Sequence, residues 1–226
     1  MLNIAVLISG RGSNLQALID ATREANFPAR IVCVVSNKPD VAGLERASAA
    51  GIPALTVNHH DFKDRQAFEQ VLDAKLNACG AQLVCLAGFM RLLTPWFVER
   101  WHDRLVNIHP SLLPAFPGLD THKKALEYGV KFAGCTVHFT RAEMDHGPII
   151  AQAAVPVLPD DTETTLAARV LEAEHRIYPL AVRLIAEGRV NIHAERAFIA
   201  NATAPKESAL NPWDEAAQGS LTPPRE

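Results

Sequence analysis

The chain opens on a continuous apolar run at residues 3–8, the pattern of a strand covered on both faces. Ser9-Gly10-Arg11-Gly12-Ser13-Asn14 breaks the run, and Leu15, Leu18, Ile19 and Thr22 follow at helical spacing. Ser13, with Gln16 three residues on, predicts a capping box at that helix start. The alternation continues: an apolar run at 30–36, a helix over 41–50 ending at Gly51, and a short strand near 54–57. A helix over 64–78 then places Phe68, Val71, Leu72 and Leu76 on one face, ahead of strands at 82–87 and 104–108. Strand and helix in repeated alternation predict a parallel sheet with right-handed crossovers.

The second half changes character. Two β-rich runs, 132–140 and 149–157, flank a polar loop and read as antiparallel partners. A long helix over 163–187 carries Leu166, Val170, Ala173, Ile177, Leu180 and Leu184 at steps of four and three, with Pro179 predicted to kink it and Gly188 as its C′ residue. From about residue 201 the periodicity ends, which predicts a poorly ordered tail over 201–226. The fold class is α/β: a doubly wound, mostly parallel sheet with a β-hairpin extension and a long C-terminal helix.

Composition narrows the partners. At 226 residues the chain is long enough to bury roughly 70–75% of its unfolded surface without disulfides or metal. A formal net charge of −3 gives no electrostatic reason for a nucleic-acid partner, so an anionic small molecule must be held by local features. Cys33, Cys79, Cys85 and Cys135 form no Cys-x-x-Cys pair, and three of them sit in apolar runs as small buried hydrophobes. With neither a basic leader nor a membrane-length apolar run, a reducing cytoplasm is the expected compartment.

Two stretches carry candidate chemistry. In Gly10-Arg11-Gly12-Ser13-Asn14, glycines between strand and helix let the backbone approach a ligand, and the unpaired helix N–H groups favour an anion. A dinucleotide site would want a third glycine where Leu15 stands and an acidic residue where Ser36-Asn37-Lys38 stands, so phosphate is the better reading; a merely tight turn is the bland alternative. In Val106-Asn107-Ile108-His109-Pro110, Asn107 and His109 are two apart at a strand end and project to one side. An amide donor beside an imidazole stabilises a developing oxyanion and moves a proton. The alternative is a capped strand end, which the prolines at 110, 114 and 117 weigh against by stiffening a long irregular segment. Asp145, in the polar loop, reads as a turn aspartate by composition alone.

Together, ISGRGSNLQALID, VVSNKPDVAGLERA, LAGFMRLLTPWFV, LVNIHPSLLPAFPGLDTHKKALE, GCTVHFTRAEMDHGPIIAQ and EAEHRIYPL resemble the glycinamide ribonucleotide formyltransferases, over residues from about 3 to 200. The resemblance implies one formyltransferase domain over 1–200, with a phosphate-binding half of about 1–100 and a folate-side half of about 101–200. It implies 10-formyltetrahydrofolate as co-substrate, 5′-phosphoribosylglycinamide as acceptor and no metal. Asn107, His109 and Asp145 would form the catalytic trio. Gly12, Ser13, Asn14, Pro110 and Glu174 would hold the acceptor. The folate would lie against Arg65, Met90, Arg91, Leu92, Leu93, Asn107 and the loop residues Arg141, Ala142, Glu143, Met144 and Asp145, with Val98 and Leu105 as apolar walls. Without the resemblance, Met90 and Leu92 read as core, Arg65 as a surface charge and Glu174 as a solvated helix glutamate. His146 stands where the family commonly has Gly, and Cys135 where relatives carry Thr.

The implied partners are small molecules, with neither nucleic acid nor membrane, on a monomer or homodimer. Rival readings are 10-formyltetrahydrofolate hydrolysis, formylation of another amine such as methionyl-tRNA or a nucleotide sugar, and a non-catalytic phosphate-binding module that would have no need of Asn107 and His109.

Overall fold

The computed structural model describes residues 1–205 and 209–211. One sheet of seven strands has the order β3-β2-β1-β4-β5-β6-β7. Its strands are β1 (Leu2–Ile8), β2 (Ala29–Ser36), β3 (Ala54–Thr56), β4 (Leu83–Leu86), β5 (Leu105–His109), β6 (Phe132–Phe139) and β7 (Ile149–Pro156). The first five are parallel, whereas β6 and β7 run antiparallel to their neighbours. Helices α1 (Ser13–Thr22), α2 (Ala42–Ala49), α3 (Arg65–Ala78) and α4 (Pro95–Arg100) fill the crossovers. Then come α5 (Thr121–Tyr128) before β6, α6 (Glu163–Ala186) after β7, and a hairpin of β8 (Val190–His193) and β9 (Arg196–Ile199).

Strand alternation sorts the apolar side chains onto two faces. Ile4, Val6 and Ile8 face α1 and α6 through Leu15, Leu18, Leu166, Val170 and Val182. Ala5 and Leu7 face the opposite layer, where α3 and α4 contribute Phe68, Leu72, Leu76, Phe97 and Trp101. Both faces being covered, β1 has no polar positions between Ile4 and Ile8. Strand order reverses between β1 and β4, which opens a crevice at their carboxyl ends, where ligands bind in sheets of this kind. The glycine turn follows β1 and the loop 87–94 follows β4, so the two sequence stretches border one crevice.

The long helix begins at a capping box of Thr162 and Thr165 and passes through Pro179 without ending. Gly188 takes φ +66 just beyond the C-cap Glu187, the left-handed position expected of a C′ glycine. Tyr178 is fully buried on this helix and its hydroxyl donates to the carbonyls of Leu86 (2.9 Å) and Val106 (3.3 Å), bolting α6 to β4 and β5.

Several local expectations are corrected. The first helix has Gly12, at φ +72, as its N-cap and no side-chain cap, so Ser13 lies inside the helix and forms no capping box. Only glycine fits there, because a Cβ on Gly12 would stand 2.8 Å from the Gly43 backbone. Val71 is exposed, and α3 buries Glu69 and Asp73 beside Phe68, Leu72 and Leu76 instead. Leu180 is exposed as well: the buried stripe of α6 passes through Glu174, Tyr178, Ala181 and Val182. Met90 and Leu92, core by hydrophobicity alone, stand 66% and 56% exposed. The hairpin of β8 and β9 and the helices α4 and α5 lie outside the elements expected from the apolar pattern. Of the tail, Asn211 donates to the Val157 carbonyl at 3.0 Å, and residues 206–208 and 212–226 lie outside the described residues. No helix among the described residues is long and apolar enough to cross a membrane.

Tyr178→Phe keeps the packing and removes one buried hydroxyl shared by two carbonyls. The expected loss is about 1–2 kcal/mol in urea unfolding, without loss of solubility. An unchanged midpoint would show that the hydroxyl does not hold α6 to the sheet.

Candidate active site

Asn107 and His109 end β5 on one side of the sheet, where β5 stops pairing with β4 but still pairs with β6. The antiparallel register sets Asn107 opposite His138 and His109 opposite Thr136. His138 is buried, and its Nδ1 lies 3.0 Å from its neighbour's carbonyl on Phe139. That contact assigns the ring proton to Nδ1 and leaves Nε2 as an acceptor for the Asn107 amide at 3.4 Å. Burial lowers the His138 imidazole below its ordinary value, keeping the ring neutral. One amide hydrogen of Asn107 is thereby directed at His138, and the other is free for a ligand oxygen.

The polar loop after β6 brings Asp145 to His109. Its Oδ1 lies 3.3 Å from Nδ1 of the ring, both side chains being largely buried. Asp145 takes φ +52, a conformation aspartate tolerates, and its Oδ2 accepts from the Gly118 N–H at 2.6 Å. Gly147 closes the loop at φ +133 where a Cβ would stand 2.0 Å from the Phe139 carbonyl, so only glycine lets the chain pass. On its far side the His109 ring presents Nε2 to the Phe116 carbonyl at 3.1 Å. A neutral imidazole satisfies one of these acceptors and the charged ring satisfies both.

The proline-rich segment after β5 is fastened rather than loose. Ser111 donates to the Ala115 carbonyl (2.6 Å), and Thr136 donates to the Ser111 carbonyl (2.7 Å) while accepting from the Leu113 N–H (3.0 Å). Gln152 on β7 adds a donor to the Leu113 carbonyl (2.9 Å). These bonds hold Pro110 and Phe116 beside the histidine.

At the glycine turn, the N-terminal amides of α1 have no side-chain cap, which leaves an anion-binding end between Gly12 and Asn14. Asn14 donates to Glu174 Oε2 at 2.7 Å, and its own Oδ1 is buried with no partner. Burial pushes the Glu174 carboxyl up to about 7 against the lowering effect of the Asn14 bond. Sequence reasoning found neither the burial nor this pairing. An acceptor without a donor and a half-neutral carboxyl, both beside a helix N-terminus, suit a ligand carrying hydroxyl or amine groups next to a phosphate.

The opposite edge is built from the loop after β4 and the loop 140–147. Ser9 accepts from the Met90 N–H (2.8 Å) and bonds Asn37, tying the β4 loop to the glycine turn. Thr94 caps α4 and bonds the buried Glu69 through its hydroxyl and its N–H. A cavity of about 510 Å³ is lined by Val98, Ala142, Glu143, His146 and Arg141, with Pro95, Glu99 and His102. Leu105 is buried behind this layer. Met90, Leu92, Ala142, Glu143 and Met144 are exposed, and Arg91 and Leu93 are half-buried, so this edge is free to receive an apolar ring system. Arg65, the first residue of α3, is exposed and makes no salt bridge among the described residues. The structure thus joins His109 to Asp145, Asn107 to His138, and Asn14 to Glu174; it does not tie Arg65 to any of them. His138 escaped sequence reasoning because its only signal, one histidine in an apolar strand, has no meaning until the register is known.

A family model for formyl transferases matches residues 2–182. The chain is 54% identical over 194 residues to the trifunctional purine biosynthetic protein adenosine-3 of Drosophila melanogaster, covering 85% of this chain and 14% of that protein. It therefore spans a small part of the trifunctional relatives it matches. A phosphoribosylglycinamide formyltransferase of Escherichia coli is 48% identical over 198 residues, 88% of this chain and 93% of its own. Among solved structures, glycinamide ribonucleotide transformylase 1 from Symbiobacterium toebii superposes with a TM-score of 0.87 at 53% identity, covering 89% of this chain and 95% of that one.

Glu174 gives the site a pH signature. Its folded-state pKa is raised from 4.5 to about 7, so the native state binds the extra proton and stability falls as pH rises through that window. Relative to Glu174→Gln, the wild type is expected to lose roughly 2–3 kcal/mol between pH ~4.5 and ~7. Urea unfolding of both proteins across that range measures it, and parallel pH profiles would remove the raised pKa.

Proposed function

The chain belongs to the formyl transferase family, and from that premise we propose that it moves the formyl group of 10-formyltetrahydrofolate to the amine of 5′-phosphoribosylglycinamide. The observation that carries the reading is the buried pair of His109 and Asp145 beside Asn107, at the carboxyl end of β5. The names of the Escherichia coli and Symbiobacterium toebii relatives supply the acceptor, which this geometry does not specify by itself.

The residues divide the work by position. The amides of Gly12, Ser13 and Asn14 take the acceptor's phosphate, and Glu174 with the free Asn14 Oδ1 takes its polar groups near Pro110. On the donor side, Val98, Leu93 and the loop 141–145 enclose the pterin, with Leu105 behind. Met90, Arg91 and Leu92 flank it and Arg65 faces its acidic tail. The phosphate turn belongs to the half of about 1–100 and the loop 141–145 to the half of about 101–200, while each ligand also draws on the other half: Arg65 and residues 90–93 on the donor side, Pro110 and Glu174 on the acceptor side.

When the amine adds to the formyl carbon, negative charge collects on the formyl oxygen. Asn107 donates its free amide hydrogen there, and His109 donates from Nε2, exchanging its contact with the Phe116 carbonyl for the formyl oxygen. Asp145 stabilises the positive ring through Nδ1 and keeps it facing the oxygen. The carbon–nitrogen bond to the donor then breaks, and the proton lost by the amine ends on the departing nitrogen, with His109 and Asp145 as the groups that relay it. All three side chains are needed at one point, which explains why the loop that delivers Asp145 is pinned at Gly118 and Gly147.

His109→Ala is expected to lower turnover about 10²–10³-fold, the usual cost of one such donor, while the dissociation constant for 5′-phosphoribosylglycinamide stays within about twofold. Steady-state formyl transfer and calorimetric titration of the acceptor measure the two quantities. Near-normal turnover in the variant would take the catalytic role away from His109.

A further inference from the structure

Arg141 stands at the start of the loop 140–147, and four of its five guanidinium N–H groups have partners. Nε meets Glu195 Oε2 at 2.6 Å and Nη2 meets Glu195 Oε1 at 3.3 Å, a forked pairing. Nη2 also meets Asp103 Oδ1 at 2.7 Å, and Nη1 donates to the Thr140 carbonyl at 3.3 Å. The side chain is 12% exposed. One Nη1 N–H remains, too little for the forked pairing by which arginine grips a carboxylate.

The three residues come from separate parts of the chain. Asp103 sits at φ +54 in the turn between α4 and β5. Glu195 and Ala194, at φ +57 and +48, form the two-residue turn between β8 and β9, the left-handed pair that a tight hairpin requires. That hairpin is fixed, because Val190, Ile192, Ala197 and Ile199 pack against the main core. The loop it touches is lightly held. Ala142, Glu143 and Met144 are exposed, and within the loop the backbone bonds are Arg141 N–H to the His146 carbonyl (3.0 Å) and His146 N–H to the Glu143 carbonyl (3.3 Å). Gly118 and His109 hold it at Asp145, and its base is held by the Thr140 N–H on the Leu105 carbonyl (2.8 Å) and by the Arg141 side chain.

We propose that Arg141 is a positioning residue, not a donor ligand: Glu195 and Asp103 clamp it so that the C-terminal hairpin sets the loop that presents Asp145 and walls the donor cavity. The catalytic consequence rests on the function proposed above, and the effect on loop motion does not. Cutting the clamp lets the loop leave its donor-binding shape without touching the phosphate side. The acceptor should therefore not register the change. High salt should mimic the cut, because Asp103 and Glu195 are 42% and 57% exposed and open to screening.

The test compares wild type, Glu195→Gln, Glu195→Asp and Arg141→Met. Amide hydrogen exchange of residues 141–147, without substrate, is expected to quicken roughly three- to tenfold in Glu195→Gln, with Glu195→Asp restoring part of it. The KM for 10-formyltetrahydrofolate should rise by a similar factor in Glu195→Gln and Arg141→Met. The KM for 5′-phosphoribosylglycinamide should hold, and about 1 M NaCl should bring wild type toward the variant. A donor KM raised by Arg141→Met and unmoved by Glu195→Gln would make Arg141 a ligand and overturn the clamp. Unchanged loop exchange in Glu195→Gln would overturn it too, even alongside a lowered Tm. A wild type that transfers no formyl group would defeat the proposed function alone, since the exchange measurement needs no substrate.

Discussion

The candidate site depends on one contact, the Asp145 carboxylate against Nδ1 of His109 at 3.3 Å. It joins the end of a parallel strand to a loop that follows an antiparallel one, and each neighbouring feature serves to hold that junction. Because β6 runs antiparallel to β5, the chain leaves β6 at Phe139, opposite Val106 near the amino end of β5, and the loop must double back along β5 to bring Asp145 to His109. Gly147 then lets the loop pass the Phe139 carbonyl where no side chain fits, and the Gly118 N–H takes the second carboxylate oxygen. A largely buried carboxylate is costly unless its oxygens are occupied, and here both are.

The same helix serves the core and the ligand side. Tyr178 bolts α6 to β4 and β5, and Glu174, one turn earlier, reaches Asn14 at the start of α1. A rigid core element therefore holds the raised-pKa carboxyl in place. The cost is a charge that burial makes hard to form, which raises the carboxyl's pKa to about 7. A ligand donor at Asn14 and Glu174 would relieve that cost, so under the proposed function acceptor binding would be coupled to the ionisation of Glu174.

Much of this was legible in the chain. The doubly covered run of β1, the alternation through β5 and the pairing of β6 with β7 follow from apolar periodicity, and Asn107 and His109 follow from their spacing at a strand end. Asp145 entered only through resemblance, because a loop aspartate carries no local sign of its partner. His138 and Glu195 lay beyond reach for the same reason: each acquires meaning from a register or a hairpin turn that brings distant residues together. The helix-face errors at Val71 and Leu180 have a different cause. Polar side chains that are buried and hydrogen-bonded, Glu69 and Asp73 on α3 and Glu174 on α6, occupy inward positions, and the apolar stripe is displaced around them.

The most direct measurement follows consumption of 10-formyltetrahydrofolate in a stopped assay, with and without 5′-phosphoribosylglycinamide. An oxyanion site poised for an amine should consume the donor only when the amine is present, one formylated product appearing for each donor lost. Equal consumption in both tubes would mean that water is the acceptor, and no consumption in either would contradict formyl transfer at this site.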